Sequence, residues 1–160
     1  MEGIIMLMNL FRGKRFGKKE LIEGKEWVEG HLLSDNEKEP FIVRLANEND
    51  EPCNVISIMD IEYVVDYVRR GTICQYSGIP DIRGKDICEN DVVYPEPYFD
   101  FLKEYENNNF MCRAKVKVHD GCFFAVFPYF ERSVPLFEEG TEWEIVGNAI
   151  DHPHLVGEEE

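Results

Sequence analysis

Between Cys112 and Phe127 the chain reads as two β-rich runs joined by Asp120-Gly121. That dipeptide supplies the positive φ values a type I′ turn requires, so the segment predicts a tight antiparallel hairpin. Ala114, Val116 and Val118 alternate with Lys115, Lys117 and His119. The alternation gives the hairpin one apolar and one wet face. A chain built on this pattern buries strands, not amphipathic helices.

The rest of the sequence repeats the theme. Trp27–Leu33, Phe41–Leu45 and Cys53–Met59 read as strands, separated by the polar turns SDNEKEP (34–40) and NENDEP (47–52). Thr72–Tyr76 is a further short strand and Ser77–Lys85 a turn-rich stretch. Asp86–Tyr94 leads into another strand, ended by Pro95 and Pro97. Glu144–Ile150 is the last strand and 157–160 a solvated tail. Residues 60–71 carry two opposed signals. Glu62, Asp66, Arg69 and Arg70 recur at helical spacing, whereas Ile61, Val64, Val65, Val68, Tyr63 and Tyr67 are strand-favouring types. Many short strands joined by Gly, Pro, Asn and Asp turns predict a mostly β protein, a barrel or a sandwich, with little helix.

At 160 residues the chain needs no metal or disulfide to stabilise a core. Five cysteines (Cys53, Cys74, Cys88, Cys112, Cys122) contain no C-x-x-C pair, and the four histidines do not join them in a ligand pattern. Five thiols and a reducing, cytoplasmic setting are expected, with no metal and no cofactor. The apolar N-terminal run is too short for a membrane span, and its positive charges follow it, the reverse of a secretory signal. No membrane partner is expected.

The net charge is −15, and residues 31–160 carry 27 acids against 11 Lys and Arg. Like-charge repulsion disfavours phosphate backbones as partners of this body. The first 30 residues differ, with six basic residues, among them Arg12, Lys14 and Arg15, against five acids.

Three segments together resemble the YopX family of small phage and prophage proteins. TICQYSGIPDIRGKDICENDVV (72–93) is similar to that family's Q-Y-T-G, D-x-x-G-K and E-G/N-D-I-V run. EWVEGHLL (26–33), preceded by Phe11-Arg12-Gly13, is similar to its early W-V-x-G strand, and EIVGNAIDHPHLV (144–156) to its closing V-I-G-N segment. Cys88 replaces a usual aromatic, Pro80 and Ile82 replace polar turn residues, and residues 40–70 and 94–111 match nothing in the pattern. The resemblance implies a mostly β fold, a single unit over 1–160 and a bacterial host cell, but no catalytic residue. It also implies extended chain within 60–71, against the local helical period. A start at Met6 or Met8 follows from it too, with 1–8 a flexible extension.

Two sets of residues compete as functional candidates. Asp81, Asp86 and Glu89 form the most tempting carboxylate group, but no His, Lys or metal-ligand spacing accompanies them. Asp91, in the turn Asn90-Asp91, reads as a structural acceptor of backbone N–H groups. His152 and His154 are placed near the terminus as bystanders. Tyr94–Phe110 holds six aromatics (Tyr94, Tyr98, Phe99, Phe101, Tyr105, Phe110) in 17 residues, with four acids and one lysine. Such density either covers a core from outside, with Phe127–Phe137 against it, or anchors a partner. The expected function is that of a phage or prophage accessory protein acting by binding a host or phage protein through this acidic, aromatic insert (94–111). A nucleic-acid mimic occupying a basic site on a host enzyme, and an enzyme using Asp81, Asp86 and Glu89, are the alternatives. A homo-oligomer stays open.

Overall fold

A computed structural model describes residues 10–15, 27–33, 40–48, 55–58, 61–105, 107–108 and 110–157. The extension at 1–8, the turn at 47–52 beyond Glu48, Cys53, and the tail beyond Gly157 lie outside the described residues, as does all of the 34–40 turn but Pro40. The chain divides into two compact units, Met1–Gln75 and Tyr76–Glu160, within the span treated above as one.

The first unit holds β1 (Phe11–Lys14), β2 (Trp27–Leu33), β3 (Phe41–Leu45), β4 (Val55–Ile58) and β5 (Ile61–Tyr67), all antiparallel, in the order β4-β5-β3-β2-β1. Residues 61–67 are therefore extended. Their helical spacing of polar groups yields to β-branched and aromatic side chains that pair with β3 and β4. A 3₁₀ turn follows at Arg70–Thr72. It is tied back to β1, where the Lys14 N–H donates to Thr72 Oγ1 at 2.8 Å and the Arg69 N–H to the Lys14 carbonyl at 2.8 Å. Val28, Ile42 and Val68 form the buried core of one sheet face, with Leu32 and Ile73 against them. Gly30 is required there. A Cβ at that position would stand 2.4 Å from the Val43 carbonyl oxygen and 2.8 Å from Ile42 Cγ2.

Asp66 lies on this same face, 6% exposed, between two arginines. Arg15 Nε donates to its Oδ1 at 2.9 Å, and Arg44 Nε stands 3.4 Å from Oδ2. A carboxylate so deeply buried requires such partners.

Strand β6 (Cys74–Pro80) begins in the first unit, where Cys74 and Gln75 pair with β1, and continues into the second. It runs four residues beyond the expected end at Tyr76. The glycine that suggested a turn, Gly78 at φ +74°, lies between the paired Tyr76 and Pro80, where the ladder with β7 (Asp86–Cys88) shifts register. Ser77 Oγ donates to the Ile87 carbonyl at 2.8 Å within that irregularity.

The second unit adds β8 (Asp91–Glu96), β9 (Ala114–His119), β10 (Cys122–Phe127), β11 (Arg132–Pro135) and β12 (Glu142–Asn148), in the order β11-β10-β9-β8-β12. The hairpin of β9 and β10 turns at Asp120 (φ 49°) and Gly121 (φ 76°), as the dipeptide predicts. Pro95 does not end β8, which runs to Glu96. Strand β9 covers only Val92 and Val93, so at Pro95 the missing N–H faces no ladder on that side, and Pro95 pairs across to Trp143. The core is Ile87, Val93, Leu102, Cys112, Ala114, Val116, Ala125, Phe127, Leu136 and Trp143. The protein is mostly β, and its only helical elements among the described residues are short 3₁₀ turns. None of the sheets formed by those residues closes into a barrel.

Candidate functional site

The aromatic insert leaves β8 and folds back as a 3₁₀ turn, Asp100–Tyr105. The turn is held by Lys103 Nζ donating to Asp100 Oδ1 at 2.6 Å; that hydrogen bond and the ammonium charge keep the Asp100 carboxyl below the usual carboxylate range. The turn buries Leu102 completely. Phe99 and Phe101 stack at 5.6 Å and meet Phe127 edge-on, and Phe99 also reaches Trp143. Phe101 and Tyr105 pack on Phe130. Tyr98 is half-buried against the same core. These four residues are a cover over the second unit's core, and the Phe127–Phe130 stretch lies against it as the sequence suggests. The driving force is ordinary aromatic burial.

Tyr94 also packs against this core, but it and Phe110 share a further set of contacts. Arg113, between the insert and β9, donates from Nε to Tyr94 Oη at 3.1 Å. Its guanidinium carbon lies 5.9 Å from the Tyr94 ring centre and 5.4 Å from that of Phe110. Phe110 meets Tyr129, which is 46% exposed, at 5.4 Å. Two tyrosines, a phenylalanine and an arginine thus form one half-exposed group fixed by mutual contacts. Sequence reasoning missed Arg113, although an arginine three residues past the last ring of an aromatic run is a usable signal for cation–π contact.

The three candidate carboxylates sit in different surroundings. Asp81 is 7% exposed, and its Oδ1 accepts the backbone N–H groups of Arg83 (2.9 Å) and Lys85 (2.8 Å) while Oδ2 faces the Ile145 N–H at 3.4 Å. Burial pushes its pKa up, but these amides and the Arg83 charge outweigh burial and hold the carboxyl below its ordinary range. Oδ1 closes the Asp81–Lys85 turn, and Oδ2 ties that turn to β12. Asp86 is exposed at the start of β7 and Glu89 half-buried in the next turn. Asp91 is buried, and its Oδ2 accepts the Cys88 N–H at 2.8 Å, the structural role its position suggests. His152 and His154 touch edge-on at 5.9 Å and are exposed. Among the described residues no three His, Cys, Asp or Glu side chains are grouped to hold a metal ion. No described helix is long and apolar enough to cross a membrane.

A family model described as YopX protein matches residues 18–157, most of the chain. No curated protein and no solved structure matches it.

Proposed function

The chain belongs to the YopX family, and from that premise we propose that it is a phage or prophage accessory protein that acts in the host cytoplasm by binding a protein partner, not by catalysis. The observation that carries the reading is the Tyr94–Phe110–Arg113–Tyr129 group. Tyrosine and arginine are the residues that most often dominate binding energy, and here each is pre-positioned by its neighbours, which lowers the entropy lost on docking. Residues 76–160 hold eighteen Asp and Glu against seven Lys and Arg, a net −11, so the partner presents a basic rim around an apolar centre. Of the six insert aromatics, Tyr94 and Phe110 contact that partner, while Tyr98, Phe99, Phe101 and Tyr105 hold the surface in shape.

The test is a pull-down from host lysate at low and high salt with wild type, Arg113→Ala and Tyr129→Ala. A captured protein that weakens with salt and is lost with either variant, at unchanged circular dichroism, is the expected result. Capture that is indifferent to both variants would place the partner elsewhere and end this assignment.

A further inference from the structure

The first unit's sheet has a second face, opposite Val28, Ile42 and Val68. Because directly opposed residues of antiparallel strands share a face, the ladder places Phe41, Val43 and Leu45 of β3 beside Tyr67, Val65 and Tyr63 of β5. Ile56 of β4 pairs with Tyr63, and Leu33 of β2 with Phe41. None of these apolar side chains is buried. Leu45 is 65% exposed, Tyr67 57%, Leu33 51%, Ile61 46% and Ile56 45%. The charged groups of this face lie on and beside β1, where Cys74 of β6 stands opposite Arg12 and is buried: Arg12, itself 8% exposed, its cross-strand neighbour Glu29, and Lys14, with both cations over the Trp27 ring.

From this arrangement we propose that the face is a self-association surface, and that its occupant is a second copy of this chain, docked sheet to sheet. The area fits. The five most exposed side chains by themselves present on the order of 500 Å², the upper end of what an ordinary monomer leaves bare. With half-buried Phe41, Val43, Tyr63 and Val65 the patch approaches the roughly 800 Å² per partner of a standard interface. The composition fits too, since among the described residues the centre holds no carboxylate, Lys or Arg, only the imidazole of His31 opposite Val43, and so matches a copy of itself. Two chains of −15 repel, and mating through first units brings together residues 1–75 (ten Lys and Arg, fourteen Asp and Glu, net −4) in place of the −11 halves. A two-fold axis parallel to the strands, lying between the two sheets and over β3, sets the β1 side of each copy over the β4 side of the other. The two Arg12–Lys14 pairs then lie on opposite sides, and the apolar centres close on each other as the layers of a sandwich do.

Sedimentation equilibrium of the full chain tests this. Wild type should run at twice 18.7 kDa, and Leu45→Glu and Tyr67→Glu, each at a position more than half exposed in the single chain, should weaken the dimer at least tenfold. Tyr129→Ala, in the other unit, should leave it intact. If a charged variant loses its circular dichroism, Leu45→Ser and the wild-type concentration series decide in its place. A wild type that stays monomeric up to about 100 µM, or a dimer that Leu45 and Tyr67 variants leave unchanged, overturns the proposal. So does a monomer that captures a different protein on this face.

Discussion

Asp81 accepts the Lys85 backbone N–H at 2.8 Å on the same oxygen that takes the Arg83 N–H, so one buried carboxylate closes the turn between β6 and β7. Replacing it with alanine takes the acceptor from two part-buried amides of an exposed turn, at a cost of about 0.5–1.5 kcal/mol. The folded-state pKa lies below the ordinary 3.8. Stability from this group is therefore fully present above about pH 4 and lost as pH falls through the folded pKa. Denaturant midpoints of wild type and Asp81→Ala should differ at pH 7 and converge in acid. A constant difference down to pH 2 would show that the carboxylate's charge does not contribute.

The hairpin at Asp120-Gly121 has its own signature. Gly121 sits at φ +76° with nothing near its missing Cβ, so backbone strain and not space decides a substitution. Gly121→Val should cost upwards of about 1 kcal/mol, read as a lower denaturation midpoint. An unchanged midpoint would remove the positive-φ turn.

Much of the fold was legible because its signals are local. Trp27–Leu33 and Phe41–Leu45 coincide with the strands β2 and β3, and the Asp-Gly turn falls where the alternation breaks. Strands β1 and β11 escaped notice because four residues with Arg, Gly and Lys, or Arg, Ser and Pro, carry no period. Only partners across the ladder make them strands. Ser77–Pro80 and Pro95 misled for the opposite reason, since their turn-forming and strand-ending chemistry is real but is absorbed by an irregular ladder and a one-sided edge. The functional surfaces were half legible. Aromatic density marked the insert, yet which rings turn inward depends on Phe127, Phe130 and Trp143, far along the chain. The bare face of the first unit was also written in β3 and β5. Phe41, Val43 and Leu45 alternate with Ile42 and Arg44, and Ile61, Tyr63, Val65 and Tyr67 with Glu62, Val64 and Asp66, so the uninterrupted apolar row is the one that the core leaves bare.

Gly30 tests the close approach of β2 to β3. Gly30→Ala places a methyl against backbone, which cannot rotate away, and should destabilise by about 1–3 kcal/mol. Gly71→Ala, with nothing within 4 Å of its Cβ, is the matched control and should be near neutral. Equal thermal midpoints for the two variants would sink the tight β2–β3 contact.

Thiol chemistry reads burial in both units at once. Cys74, Cys88 and Cys112 are buried, whereas Cys122 is exposed at the start of β10. The thiolate is the reactive species and must meet the reagent, so a buried thiol reacts only when its surroundings open. Native protein at pH 8 should modify Cys122 at once, while Cys74, Cys88 and Cys112 follow slowly, at the rate of opening. Peptide mapping identifies the fast site and keeps Cys53, outside the described residues, from being confused with it. In denaturant, without prior reductant, all five thiols of the sequence should titrate. Three or fewer equivalents would mean a disulfide or bound metal. Fast native labelling of Cys88 or Cys112 would mean that the second unit's core is looser than Trp143 and Phe127, each within 1% of full burial, allow.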